Sequence, residues 1–138
     1  MKVKGILSVA LMVAGAACSE EIETPTSATA TGPTTILYSG TLQPRTSRFY
    51  SYTITTAGSV SALLGSVESN GVPSTNALEI GIGSPAGTGC AVTVSANVPA
   101  ALIPQLRHEA AVGTHCVRVA DTDGLPAPMT FTIRVIHP

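Results

Sequence analysis

The sequence predicts an all-β fold, an antiparallel β-sandwich or barrel of seven to eight short strands. Three observations lead to this prediction. Apolar residues alternate with polar ones in several short runs, which is the period of a strand with two unlike faces. Gly, Pro, Asn and Asp separate these runs, as they do in turns. No stretch of the 138 residues has the pattern of a long amphipathic helix.

The predicted strands follow one another from about residue 35. The clearest is 48–55, where Tyr50, Tyr52 and Ile54 lie on one face. Polar and glycine-rich loops are predicted at 68–75 and at 83–89. The other predicted strands are 36–42, 59–67, 78–82, 90–94, a short strand through Leu106, 113–120 and 129–136.

The strand at 113–120 is predicted to lie inside a sheet, because strand-like runs come before and after it. Val117 and Val119 alternate with Cys116, so the valines are expected on the core face and Cys116 on the opposite face. The Asp-Thr-Asp-Gly sequence at 121–124 is predicted to be a hairpin turn. A calcium loop is the alternative, but this run lacks the later acidic ligands of such a loop.

Composition limits both the core and the partners. Aromatic residues make up 4% of the chain and Trp is absent, so the core must be largely aliphatic. Charged residues are 11%, well below the roughly 25% of ordinary soluble domains. After Lys4 the chain has five arginines and eight acidic residues. This composition argues against nucleic-acid binding, which requires a basic face to neutralise phosphates.

The N-terminus has the pattern of an export signal. A positive start with Lys2 and Lys4 precedes an apolar segment at 5–14, and small residues then lead directly to Cys18. This resembles the lipobox of bacterial lipoproteins, in which the cysteine is lipidated and becomes the mature N-terminus. Cleavage by an ordinary signal peptidase near Ala17 is the alternative. A transmembrane anchor is not predicted, because the apolar run is shorter than the roughly 20 residues that span a bilayer.

The whole chain is therefore predicted to have three segments. They are a signal peptide at 1–17, a disordered Thr/Ser/Pro-rich tether at 18–34 and a β-sandwich domain at 35–138. Ser19 follows the cysteine, and by resemblance to the bacterial sorting pattern this favours the outer membrane in a cell that has one. The predicted localisation is the cell envelope, with the membrane as partner through a lipid on Cys18. Secretion is the alternative.

Short strand signatures recur along the domain in an order that is known from one family. They are YSGTL at 38–42, FYSY at 49–52, GSV at 58–60, LEIGI at 78–82, GTHCVRV at 113–119 and FTIRV at 131–135. This order resembles the bacterial pre-peptidase C-terminal domain over about residues 34–137. His115, Cys116 and Phe131 depart from the residues usual in that family. The resemblance implies a small sandwich of jelly-roll type, often appended to secreted peptidases and not itself catalytic.

Cys90 and Cys116 are predicted to form a disulfide. Export permits disulfides, and with Cys18 consumed by lipidation two cysteines remain, the even number that a bridge needs. On the chain-entropy model such a bridge adds about 3 kcal/mol of stability. Two unpaired thiols and a metal site are the alternatives. Because Cys116 is expected to face away from the valines, the bridge should cross an outer face of the sandwich.

The sequence predicts no catalytic, metal-binding or cofactor-binding residues. It contains no Gly-x-Ser-x-Gly motif, and His108, His115 and His137 do not have the spacing of metal ligands. The three tyrosines are candidates for a sugar-binding platform, although core packing is the preferred interpretation. Ligand-binding residues are not assigned from the sequence.

The predicted function is that of a non-catalytic exported bacterial lipoprotein. Its β-sandwich would act as a surface interaction or structural module, with an envelope protein or a glycan as partner. A carbohydrate-binding module of the cell envelope is the alternative. A small hydrolase is a third hypothesis, but nothing in the sequence supplies a nucleophile and a base for it.

Overall fold

The structure, a computed structural model, describes residues 32–138. This part of the chain is all-β, as the alternating pattern predicts, and its strands form two sheets that pack face to face. The strands are β1 (Thr34–Leu42), β2 (Ser47–Ile54), β3 (Gly58–Ser69), β4 (Val72–Pro73), β5 (Leu78–Ala86), β6 (Gly89–Val98), β7 (Leu106–Ala110), β8 (Gly113–Ala120) and β9 (Met129–His137).

The two sheets have the strand order of a jelly roll. Sheet A has the order β1-β9-β3-β4, with β7 also paired to β3, and sheet B has the order β2-β8-β5-β6. All of the pairs are antiparallel. Apart from the two-residue β4, eight strands make up the sandwich. The prediction of an antiparallel β-sandwich of jelly-roll type is therefore confirmed.

The core lies between the sheets and is built from alternate residues of their strands. Tyr52 and Ile54 of β2 and Val117 and Val119 of β8 belong to it, which confirms the predicted core faces. The core is mostly aliphatic, as the low aromatic content requires. The largest fully buried side chains are Phe131, Leu42, Ile54, Leu64, Leu78, Ile80, Ile82, Ile133, Val60, Val67, Val117 and Val119.

β8 is an interior strand, as predicted, although its neighbours are not its neighbours in sequence. It pairs with β2 on one side and with β5 on the other. The strands that precede and follow it along the chain, β7 and β9, belong to sheet A. The residues at 121–124 therefore begin a connection between the two sheets, and the predicted hairpin turn is wrong.

Two predicted loops contain strand residues. β5 continues through Gly83 to Ala86, so only residues 87 and 88 form the turn into β6. Gly83 serves close packing here, because a Cβ at this position would collide with the main-chain oxygen of Ala91. The second loop, at 68–75, contains a tight hairpin. Its turn residues, Asn70 and Gly71, have φ values of 51° and 78°, as expected for an Asn-Gly turn between strands.

Residues 99–105 form a loop that runs beside β3. The main-chain N–H of Ala101 donates to the carbonyl of Leu64 at 2.9 Å, and that of Gln105 donates to the carbonyl of Ala62 at 3.1 Å. The Gln105 side chain also accepts from the N–H of Leu64 at 2.8 Å. The loop is therefore held firmly against the edge of β3, just before β7 begins. Among residues 32–138, no helix is long and apolar enough to cross a membrane.

Candidate functional site

Cys90 and Cys116 form the predicted disulfide, with their Cα atoms 5.9 Å apart. Cys90 lies on β6 and Cys116 on β8, the two strands that flank β5 in sheet B. Cys116 pairs with Gly83 of β5, and Cys90 pairs with Pro85 of the same strand. Cys116 is fully buried, yet it is not part of the core between the sheets. The bridge therefore crosses the outer face of sheet B, as the sequence pattern predicts.

Other predictions concern residues that the structure does not describe. The lipidation site Cys18, the signal peptide at 1–17 and most of the tether at 18–34 lie outside residues 32–138. They stay predictions from the sequence.

Tyr38 and Tyr50 pack against the core at the open side of the sandwich, between the edge strands β1 and β2. Their rings stack with centroids 4.6 Å apart. The Tyr38 hydroxyl donates to the carbonyl of Ser51 at 3.0 Å, and the Tyr50 hydroxyl donates to the carbonyl of Ser39 at 2.9 Å. Both rings are used in packing, so these tyrosines do not form an exposed sugar platform.

Tyr52 is 4% exposed and lies near two histidines at one end of the core. Its ring stacks on His137 at 5.6 Å between centroids and lies 6.0 Å from His115. The Tyr52 hydroxyl has no hydrogen-bond partner among the described residues. Burial of the hydroxyl, together with the charge of an ionised Tyr38, raises the pKa of Tyr52 to about 12.

The two histidines beside Tyr52 contact main-chain oxygens. His115 Nε2 donates to the carbonyl of Ala111 at 2.7 Å, and His137 Nδ1 donates to the main-chain oxygen of Pro138 at 2.8 Å. Both of these ring contacts go to main-chain oxygens and not to side chains. Within residues 32–138, no group of three or more His, Cys, Asp or Glu residues could hold a metal ion.

Asp121 holds the connection between the sheets together. Its Oδ2 accepts the N–H groups of Arg45 and Leu125, both at 2.7 Å, and its Oδ1 accepts the N–H of Gly124 at 2.8 Å. Burial alone would raise the pKa of this carboxyl, but the surrounding backbone N–H groups favour the charged form and the pKa lies below its ordinary value. Both carboxylate oxygens accept backbone N–H groups, so this side chain stabilises the loop.

The turn between β1 and β2 is tied to Asp121 as well. The N–H of Asp121 donates to the carbonyl of Thr46 at 3.0 Å, and the N–H of Thr46 donates to the carbonyl of Gln43 at 3.2 Å. Arg45 has a φ of 59°, a left-handed conformation that non-glycine residues rarely adopt. The bond from the Arg45 N–H to Asp121 stabilises this conformation and so sets the shape of the turn.

A cleft of about 470 Å³ lies beside this turn, and we call it the β1–β2 cleft. Phe49 lines it with 39% of its surface exposed, and Arg48 is exposed beside it. The Arg48 stem lies close to Gly40, since its Cδ would be 3.4 Å from a Cβ at that position. The complete lining consists of Thr41, Gln43, Thr46, Ser47, Arg48, Phe49 and Tyr50.

The charge of the cleft comes from Arg48. Within residues 32–138, the ion pair that forms is Arg118 with Glu79, on the outer face of sheet B. Arg48 has no such partner there. The cleft therefore offers a guanidinium, an exposed aromatic ring, an amide and several hydroxyls, which together suit a polar or acidic ligand.

Sequence reasoning did not single out Arg48 or Phe49. Phe49 alternates with Tyr50 and Tyr52 along β2, and its position on the opposite face could have marked it as a candidate. The cleft itself could not be recognised, because it forms where the edges of two different sheets meet.

Neither a protein-family model nor a curated protein matches this chain. The resemblance to the pre-peptidase C-terminal domain accordingly stays a proposal.

Proposed function

We propose that the chain is a non-catalytic, exported bacterial lipoprotein whose β-sandwich is a surface interaction or structural module of the cell envelope. The observation that carries this proposal is the bridge between Cys90 and Cys116. A structural disulfide belongs to an oxidising compartment. The bridge also leaves Cys18 as the remaining cysteine of the chain, directly after the small residues of the signal pattern.

The same domain supports a non-catalytic role. The ring contacts of His115 and His137 go to main-chain oxygens, and the buried carboxylate of Asp121 is occupied by N–H groups. A jelly-roll sandwich is also the architecture that the resemblance to the pre-peptidase C-terminal domain implies. The outer membrane is the proposed location in a cell that has one.

The β1–β2 cleft is the surface that we propose for the interaction. It lies at the Leu42 end of β1, whereas the tether joins β1 at Thr34. Along an extended strand these two ends are roughly 27 Å apart. A domain anchored through Cys18 would thus present the cleft on the side away from its attachment.

Fatty-acid labelling in cells tests the anchor. Wild type should incorporate the label and Cys18→Ala should not. The double variant Cys90→Ala/Cys116→Ala is the matched control, because it removes two cysteines but keeps Cys18 and should still be labelled. Equal labelling of wild type and Cys18→Ala would show that Cys18 is not the lipidated residue, and the proposed lipid anchor would be wrong.

A carbohydrate-binding module is the second candidate, favoured by the combination of Phe49 with hydrogen-bonding groups in the cleft. Aromatic faces and hydroxyl, amide or guanidinium groups are what a sugar requires. Retardation in an affinity gel with envelope polysaccharide should be lost in Arg48→Ala and in Phe49→Ala. It should persist in Val72→Ala, which changes an exposed residue on β4 instead. No retardation of wild type on any glycan would exclude this candidate.

A further inference from the structure

The outer face of sheet A carries an apolar band at the level of Leu37. Leu37 of β1 pairs with Arg134 of β9, and Arg134 pairs with Leu63 of β3, so these side chains lie in one row. Leu37 is 62% exposed. Leu63 is 4% exposed although it is not part of the core between the sheets. It is buried from the outside, where the loop at 99–105 lies beside β3.

That loop continues the apolar row beyond the edge of β3. Leu102 is 93% exposed and Ile103 is 72% exposed, which makes them two of the most exposed large apolar side chains of the described chain. They are not on a loose segment, because hydrogen bonds at Ala101 and Gln105 fix both ends of the loop to β3. Leu37, Leu63 and Leu102 border one shallow hollow of about 220 Å³.

Two arginines accompany the apolar side chains. Arg134 lies in the row itself, and Arg107 of β7 pairs with Ser61, two residues before Leu63 and on the same outer face. Both are exposed, and neither forms an ion pair within residues 32–138. The acid nearest along the strand is Glu109, two positions beyond Arg107 on β7. We call Leu37, Leu63, Leu102, Ile103, Arg107 and Arg134 the basic apolar patch.

The patch lies at the end of the domain where the tether arrives. β1 begins at Thr34, three residues before Leu37. The sixteen residues from Cys18 to Pro33 span at most about 55 Å when fully extended. A lipid on Cys18 would therefore keep the patch within a short distance of the bilayer surface, at a high effective concentration.

We propose that the basic apolar patch docks the domain on an anionic lipid surface, with Leu102 and Ile103 in the interfacial region and Arg107 and Arg134 on lipid phosphates. Exposed aliphatic side chains flanked by basic ones are the chemistry of interfacial binding. This inference rests on the proposed lipid anchor, which holds the surface in reach. It adds an orientation: the outer face of sheet A faces the bilayer.

The absence of tryptophan from the chain provides a direct test. Leu102→Trp introduces a single fluorophore at the centre of the patch. Val72→Trp is the matched control, since Val72 is 65% exposed on β4, beyond the other end of β3. Each full-length protein is purified from cell membranes and reconstituted with vesicles of phosphatidylcholine alone, or of equimolar phosphatidylcholine and phosphatidylglycerol.

With the mixed vesicles, emission from Leu102→Trp should shift to the blue and should be quenched by brominated acyl chains. Emission from Val72→Trp should do neither. In the Leu102→Trp background, Arg107→Gln/Arg134→Gln should weaken this docking about thirtyfold, because each basic residue near an anionic surface contributes about 1 kcal/mol. Vesicles of phosphatidylcholine alone should give a much smaller shift.

The outcomes separate docking from anchoring. Protein that sediments with both kinds of vesicle while Leu102→Trp stays fully solvated would overturn docking and leave the anchor in place. Absence of fatty-acid label from wild type would overturn the anchor itself. A blue shift that needs a protein extract of the envelope, and is absent with lipid alone, would overturn the lipid as occupant of the patch.

Discussion

Tyr38 and Tyr50 close the open side of the sandwich, and each donates its hydroxyl to the strand that carries the other. The rings stack at 4.6 Å with their planes 14° apart, while the hydroxyls reach the carbonyls of Ser51 and Ser39. β1 and β2 belong to different sheets and share no ladder of backbone hydrogen bonds. This reciprocal pair therefore takes the place of a ladder at this side.

Removal of the two hydroxyls should show that they act together. Tyr38→Phe and Tyr50→Phe should each lower the free energy of unfolding by about 0.5–1.5 kcal/mol, the usual net contribution of one hydrogen bond. In the double variant the losses should not simply add, since the rings are in contact. Denaturant unfolding of the four proteins measures this coupling. Strictly additive losses would mean that the two bonds are independent.

Gly40 is required for the Tyr50 bond. A Cβ at Gly40 would lie 2.5 Å from the Tyr50 hydroxyl oxygen. Gly40→Ala should therefore displace the Tyr50 ring and destabilise the fold by at least as much as Tyr50→Phe. Gly32→Ala is the control, because a Cβ at Gly32 meets no atom within 4 Å. If Gly40→Ala is as stable as Gly32→Ala in thermal unfolding, the close approach has no energetic consequence.

Removal of the Tyr52 hydroxyl, unlike removal of the Tyr50 hydroxyl, should not destabilise the protein at neutral pH. Its hydroxyl is buried and has no partner among the described residues, so Tyr52→Phe should leave stability unchanged or raise it by up to about 1–3 kcal/mol. Chemical denaturation of wild type, Tyr52→Phe and Tyr50→Phe at pH 7 makes the comparison. A loss in Tyr52→Phe as large as that in Tyr50→Phe would show that the hydroxyl is hydrogen-bonded after all.

Ionisation of Tyr52 should make the protein less stable at alkaline pH. The pKa of Tyr52 is raised to about 12 in the fold by burial and by an ionised Tyr38, while in the unfolded chain it is about 10. Between these values the unfolded chain releases the proton and the folded chain keeps it, so stability falls as the pH rises above about 10. Tyr52→Phe should lose less stability than wild type over this range. If the stability of Tyr52→Phe falls as steeply as that of wild type above pH 10, Tyr52 is not the group that causes the loss.

The Asp121 carboxylate should make the stability of the protein decrease at low pH. Its pKa is lowered in the fold by backbone N–H groups that outweigh burial, and the unfolded value is about 3.9. The charged form therefore stabilises the protein fully above about pH 4, and this contribution is lost as the pH falls through the lower folded pKa.

Asp121→Asn replaces one acceptor oxygen by a donor that faces N–H groups. At pH 7 this variant should be less stable by about 1–3 kcal/mol, and its deficit should shrink as the pH falls below 4. Asp123→Asn is a matched control on the same loop, where the exposed carboxylate accepts from the Asn97 amide. A deficit of Asp121→Asn that does not depend on pH would show that the carboxylate charge is not what stabilises the loop.

The disulfide should contribute about 3 kcal/mol through the unfolded chain, since Cys90 and Cys116 are 26 residues apart. Cys90→Ala/Cys116→Ala and the reduced wild type should lose similar amounts in urea unfolding. In a Cys18→Ala background, the unfolded but unreduced protein should show no titratable thiol. Two thiols per chain in that titration would show that the bridge does not form in the protein as expressed.

Several features were predictable because they depend on neighbouring residues. Alternation in β2 identified Tyr52 and Ile54 as core, and alternation in β8 separated Val117 from Cys116. The prediction of a loop at 83–89 was wrong because glycine is common in turns. Gly83 instead lies within β5, where the absence of a side chain allows the main chain of β6 to pack closely against it.

By itself, the sequence determined the fold class, the faces of the strands and the pairing of the two cysteines in the domain, because alternation is local and two cysteines allow one bridge. Only the tertiary structure decided which strands are neighbours, since jelly-roll pairs such as β1 with β9 join segments far apart in the chain. The β1–β2 cleft and the basic apolar patch were likewise decided only by the tertiary structure. Arg48 and Phe49 define a cleft because two sheet edges meet there, and Leu37, Arg134 and Leu102 form one surface because three distant segments lie side by side.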